Sequence, residues 1–205
     1  MRPQLDFIHE FVPGSSKRAL LLLHGTGGNE RDLIPLGREL APNASLLSPR
    51  GKVLENGMPR YFRRLAEGVF DLEDLKKRTH ELADFVVSAV AHYKIDIENM
   101  IAVGYSNGAN IAASLLLLRP EIFPAAVLFR AMVPLVPETQ PDLSSVRVWI
   151  GGGSIDPIVP ASETKQLSEL LRDAGADVTI RFFKGGHELT PEDVDVAREW
   201  LRILK

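Results

Sequence analysis

Apolar runs and amphipathic stretches alternate along the whole chain. Leu20–Leu23, Ser45–Ser48, Met100–Val103, Ala125–Phe129, Val146–Ile150 and Val178–Phe183 run apolar rather than alternating with polar residues. That is the pattern of strands buried on both faces. Between them, Leu72–Tyr93 places Leu75, Leu82, Phe85, Val86, Ala89, Val90 and Tyr93 on one helical stripe, and Ala109–Arg119 also reads as helix. A last helix opens at Thr190-Pro191-Glu192-Asp193: threonine can cap, proline suits the first turn, and the acids favour the positive helix end. Its Val194, Ala197, Leu201 and Leu204 form an inward face. Strand–helix alternation predicts a three-layer α/β sandwich with a mostly parallel central sheet and helices on both faces. Asp6–Val12 is expected to add an antiparallel strand at one edge. With no internal repeat, low-complexity tract or linker, residues 1–205 are expected to form one domain.

Composition narrows the class. A net charge of −3 gives no reason to expect nucleic acid or an anionic membrane as partner. The chain has no cysteine, which excludes disulfides, thiolate metal sites and a cysteine nucleophile and makes an intracellular home the default. Met1-Arg2-Pro3-Gln4-Leu5-Asp6 lacks the apolar segment of a signal peptide. Ile111–Leu118, the longest strongly apolar stretch, is too short to span a bilayer. A cytoplasmic protein with no membrane partner is expected.

The chemistry concentrates at Gly104-Tyr105-Ser106-Asn107-Gly108, a G-x-S-x-G pattern directly after one apolar run and directly before a helical stretch. A serine on a sharp strand-to-helix turn projects its hydroxyl above the sheet, and glycines two residues either side avoid clashes with the packed elements. The serine needs a base, and the base needs an acid to fix its tautomer. After Ser106 the only histidine is His187, just past the run Val178–Phe183. Asp156 follows the run Val146–Ile150 at the same sheet edge, whereas Asp142 and Asp177 fall at the other end of their strands. A loop histidine alone reads as surface decoration and an aspartate before proline as a turn residue. The order Ser, Asp, His, each at the carboxyl end of a buried strand, points instead to a catalytic triad.

An oxyanion needs two donors. The backbone N–H of Asn107 is one candidate, and Thr26 in Leu23-His24-Gly25-Thr26-Gly27-Gly28-Asn29 is the other by position. A dinucleotide-binding loop would need glycine where Glu30 stands, and no G-K-[ST] occurs, so the loop reads as an oxyanion loop rather than a phosphate cradle. His24 reads as structural, and His9, His80 and His92 show no metal-ligand spacing. Neither a metal nor a cofactor is expected.

On these residues the chain resembles the α/β-hydrolase superfamily, in its small lid-less carboxylesterase, phospholipase and acyl-thioesterase-like branch. The elbow of that branch commonly reads G-F-S-Q-G, and its acid loop D-x-x-V-P is matched by Asp156-Pro157-Ile158-Val159-Pro160. Thr26-Gly27-Gly28-Asn29 departs from the thioesterase pattern. The chain is most similar to bacterial hydrolases of the methylhydroquinone response. The resemblance implies that Arg60, Tyr61 and Phe62 border the pocket. Cap domains of this fold follow the strand after the nucleophile helix, but here Arg130–Ser145 is short and broken by Pro134, Pro137 and Pro141. That segment is expected to form no lid and to line the opposite wall through Met132 and Leu135. The implied activity is a serine esterase acting on short or medium acyl or aryl esters, a small-molecule substrate. The alternatives are a thioesterase or lysophospholipase on the same triad, perhydrolase chemistry, or a non-catalytic ligand sensor. No oligomeric state is readable.

Overall fold

A computed structural model describes residues 5–204. Met1–Gln4, which begin the stretch read above for a leader sequence, and Lys205 lie outside the described residues. The sheet is built from β1 (His9–Val12), β2 (Ala19–Leu23), β3 (Ser45–Pro49), β8 (Met100–Tyr105), β9 (Ala125–Phe129), β10 (Arg147–Gly153) and β11 (Asp177–Phe183). Two hairpins, β4 (Val53–Glu55) with β5 (Met58–Arg60) and β6 (Arg64–Ala66) with β7 (Val69–Phe70), stand apart from it. The helices are α1 (Ile34–Leu40), α2 (Leu72–Tyr93), α3 (Asn107–Leu118), α4 (Ala161–Asp173) and α5 (Pro191–Ile203).

The strand order is β1-β3-β2-β8-β9-β10-β11. Only β1 runs antiparallel, pairing His9–Val12 with β3, and every other neighbour in the sheet is parallel. The period of two along a strand divides the core into two layers. Leu21 and Leu23 of β2 face the layer covered by α2, α3 and α4, while Leu20 and Leu22 face the one covered by α1 and α5. That is the three-layer α/β-hydrolase arrangement the pattern implies.

The stripe on α2 buries Leu75, Leu82, Phe85, Val86 and Ala89, with Val90 and Tyr93 half-buried at its end. α5 carries a complete capping box, the Thr190 side chain accepting from the Asp193 N–H and the Asp193 carboxylate accepting in return. One expectation is corrected: Val178–Phe183 is not buried on both faces. As β11 it forms the sheet edge, and Arg181 and Phe182 are exposed. An apolar run does not itself distinguish a central strand from a half-covered edge.

Two local features place the site. The β4–β5 turn is Asn56-Gly57 with φ of 50° and 81°, a pairing suited to a tight hairpin. It carries Arg60 to the carboxyl ends of the strands. Beyond β9, residues 130–145 contain no helix, so that segment builds no helical lid over those ends.

Candidate active site

Ser106 sits between β8 and α3 with φ 53° and ψ −116°, backbone strained for any residue with a side chain. Its N–H donates to the Phe129 carbonyl at 2.9 Å, tying the turn to the neighbouring strand. The flanking glycines have no room for anything larger. A Cβ on Gly104 would lie 2.6 Å from the Ala109 Cα, and one on Gly108 would collide with the Leu23 carbonyl.

Three loops bring the candidate triad together. His187 Nε2 lies 2.8 Å from Ser106 Oγ, and Nδ1 lies 2.8 Å from Asp156 Oδ2. A carboxylate only accepts, so the ring proton belongs on Nδ1 and leaves Nε2 free to accept from the serine hydroxyl. The other Asp156 oxygen accepts from the N–H groups of Ile158 (2.8 Å) and Val159 (3.0 Å). This explains the spacing of Asp156-Pro157-Ile158-Val159: proline has no N–H, and the next two residues supply the donors.

The histidine loop is held by a group the sequence reading missed. Arg130, at the end of β9, is fully buried, with φ 56°. Its Nε donates to the Gly186 carbonyl at 2.9 Å and Nη2 to the Glu188 carbonyl at 2.8 Å, one on each side of His187. Nη1 reaches the Gly151 carbonyl at 3.3 Å, and both Nη atoms meet the buried Asp193 carboxylate at 2.6 and 2.9 Å. The carbonyl of His187 accepts from Tyr105 Oη at 3.1 Å. Three consecutive carbonyls are therefore pinned by side chains from two other strands. Burial would raise the Asp193 carboxyl, but hydrogen bonds from Arg130 and Thr190 outweigh it and hold the group below its ordinary range. The one signal in the sequence is a lone cation in the apolar context Leu128-Phe129-Arg130-Ala131.

The cleft beside Ser106 holds about 380 Å³ of empty space counted out to bulk solvent. Thr26 and Asn107 border it, and no protein acceptor takes the backbone N–H of either among the described residues. Arg60 and Met132 line it as expected, but Tyr61, Phe62 and Leu135 do not. Tyr61 is packed behind the wall, its Oη donating to the Pro49 carbonyl at 2.7 Å and its N–H donating to Asn107 Oδ1 at 2.8 Å. Phe62 is buried edge-on against Phe70, and Leu135 is in the core. Their apolar side chains gain more from full burial than from facing a wet cleft. In their place stand Phe70, Ile158, Val159 and Asn110, with Arg64.

His24 is buried below this site. Nδ1 meets the Gly25 carbonyl at 2.7 Å, and the Gly51 N–H donates to Nε2 at 3.0 Å. Burial pushes its imidazole below the ordinary value, against the opposing pull of the Gly25 carbonyl. His9 bonds Tyr93 Oη at 2.7 Å, and His80 and His92 are exposed on α2. No three His, Asp or Glu side chains among the described residues are grouped to hold a metal. A larger hollow of about 990 Å³ lies at the amino ends of the strands around Arg18, Asn99 and Arg202, away from the triad. No helix among the described residues is long and apolar enough to cross a membrane.

The chain is similar to known proteins. The model of the phospholipase/carboxylesterase family matches residues 12–205. MhqD of Bacillus subtilis strain 168, which carries a hydrolase name, is 49% identical over 194 residues, covering 95% of this chain and 97% of that one. A Bacillus cereus carboxylesterase superposes with a TM-score of 0.94 at 49% identity, over 96% of this chain and 94% of its own. A carboxylesterase from Mesorhizobium loti gives 0.89 at 33% identity, over 93% and 91%.

Proposed function

The chain belongs to the phospholipase/carboxylesterase family of hydrolases, and from that premise we propose that it is a serine carboxylesterase acting as one domain on a small-molecule ester. The observation that carries this reading is the unbroken hydrogen-bonded line Asp156–His187–Ser106 at 2.8 Å per link. In the proposed reaction His187 Nε2 takes the proton from Ser106 Oγ as the oxygen attacks the ester carbonyl. The N–H groups of Thr26 and Asn107, which have no protein acceptor among the described residues, stabilise the oxyanion. The protonated His187 then gives its proton to the leaving alcohol, and a water activated by the same base releases the acid. Asp156 keeps the ring in the tautomer that can accept. The open cleft supports short or medium acyl and aryl groups as the preferred esters, and the lack of cysteine fits a reducing, cytoplasmic compartment.

The test is labelling by a fluorophosphonate, which requires an activated serine. Wild-type protein is expected to label at Ser106 and to hydrolyse 4-nitrophenyl butyrate, and Ser106→Ala to do neither. Folded wild-type protein that stays unlabelled and inactive overturns the reading.

A further inference from the structure

The wall of the cleft offers donors with no acceptors. Arg60 is only 3% exposed, and it lines the cleft beside Ser106. Its Nε donates to the Phe62 carbonyl at 3.2 Å, and Nη1 sits 3.3 Å from Glu55 Oε2. Nη2 has no partner among the described residues. Asn110 and Asn107 repeat the pattern. A backbone N–H occupies the side-chain oxygen of each, from Met132 at 3.0 Å and from Tyr61 at 2.8 Å. The amide nitrogen of each has no partner, and that of Asn107 is wholly buried. Arg60 and Asn110, each more than nine-tenths buried, thus leave N–H groups unpaired at the cleft, while the unpaired amide nitrogen of Asn107 is sealed from it.

Glu55 is shared between Arg60 and Arg64, the latter at 2.7 Å, so one carboxylate serves two guanidinium groups. The acid that lines the cleft itself, Glu67, is exposed at its rim. An alkyl chain placed here would leave desolvated donors unpaired, which is costly. A carboxylate is acceptor-only, negatively charged and planar, and it matches a guanidinium edge.

We propose that the ester this cleft takes carries a carboxylate, which Arg60 and Asn110 hold while Ser106 attacks the ester carbonyl. The preferred substrate is then a half-ester of a short dicarboxylic acid, or a short ester of a hydroxy acid. This rests on the serine esterase reading. Hydrolysis adds water across the ester C–O bond, the acyl carbon taking hydroxyl and the alcohol oxygen taking hydrogen, with no change of oxidation state.

Two isosteric pairs followed by proton release test it. Monomethyl succinate against methyl succinamate puts the charge on the acyl side, and carboxymethyl butyrate against carbamoylmethyl butyrate puts it on the alcohol side. In one pair the carboxylate ester is expected to exceed its amide in kcat/KM by about tenfold or more, and Arg60→Met to lower that ratio toward about one. Neutral partners equal or better in both pairs overturn the proposal, as does a ratio unchanged in folded Arg60→Met. Because Arg60 also braces the β4–β5 hairpin, a wild-type measurement stands beside the variant. Succinate or glutarate is expected to slow fluorophosphonate labelling of Ser106 where the corresponding diamides do not. Equal protection by acid and diamide, or none by either, counts against the carboxylate site while leaving the esterase intact. Absence of labelling altogether removes the esterase reading and the proposal with it.

Discussion

Replacing Arg130 by lysine keeps a cation against Asp193 but removes the planar fork that reaches both sides of His187. The wild-type guanidinium makes five contacts, two to the Asp193 carboxylate and one each to the carbonyls of Gly186, Glu188 and Gly151. A lysine ammonium has three donors on a flexible stem, and it cannot hold the carboxylate and both carbonyls flanking the histidine at once. Two lost charge-assisted bonds to half-buried carbonyls cost about 2–3 kcal/mol in stability. For a chain of this size that is a fall in Tm of roughly 5–10 °C. The functional cost is of similar size, because a displacement of about 1 Å in the proposed base lowers turnover about 100-fold. Arg130 does not line the cleft, so the loss should fall on kcat and leave KM nearly unchanged. Arg130→Met is harsher, since a buried carboxylate left without its cation costs about 3–5 kcal/mol. The assay is steady-state hydrolysis of a short ester, run well below each variant's Tm with near-UV circular dichroism to confirm packing. A folded Arg130→Lys protein with kcat within about twofold of wild type would refute the claim that these bonds position His187.

Ser106→Ala and His187→Ala should each lower kcat by ~10⁴–10⁶, with the double variant little worse than either single because the groups act as a unit; additive losses in a kinetic cycle would separate their roles. Neutral His24 accepts from the Gly51 N–H, and burial holds its folded pKa below the ordinary value of about 6.5. As pH falls through 6.5 the unfolded chain therefore takes up that proton first, so the stabilisation is full above this range and is lost below it. Thermal melts at about pH 7.5 and 5.5 should show a smaller acid-induced fall for His24→Asn than for wild type, and equal falls would assign the effect elsewhere. Since residues 130–145 contain no helix, the rate should vary smoothly as ester concentration crosses the micellar threshold, and a sharp rise there would reveal a lid.

The elements and the meeting of Ser106, Asp156 and His187 were legible because each depends on local pattern. Apolar runs mark strands that need burial, and G-x-S-x-G marks a turn where only glycine fits, as the crowding around Gly104 and Gly108 bears out. The acid loop was readable too, since the donors for Asp156 come from its own next residues, Ile158 and Val159. What the sequence could not assign was which side of a wall each residue faces. Arg60, Tyr61 and Phe62 are consecutive, yet the first borders the cleft and the other two are packed behind it. β11 read like the central strands, although its position at the sheet edge leaves half of it exposed. Arg130 and Asp193 meet across 63 positions of chain, a pairing that no periodicity encodes. Local propensity and spacing fixed the elements and the order of the chemical groups. Only folding, by burying a guanidinium among the carbonyls of a distant loop, decided what holds those groups in place and what the cleft presents to a ligand.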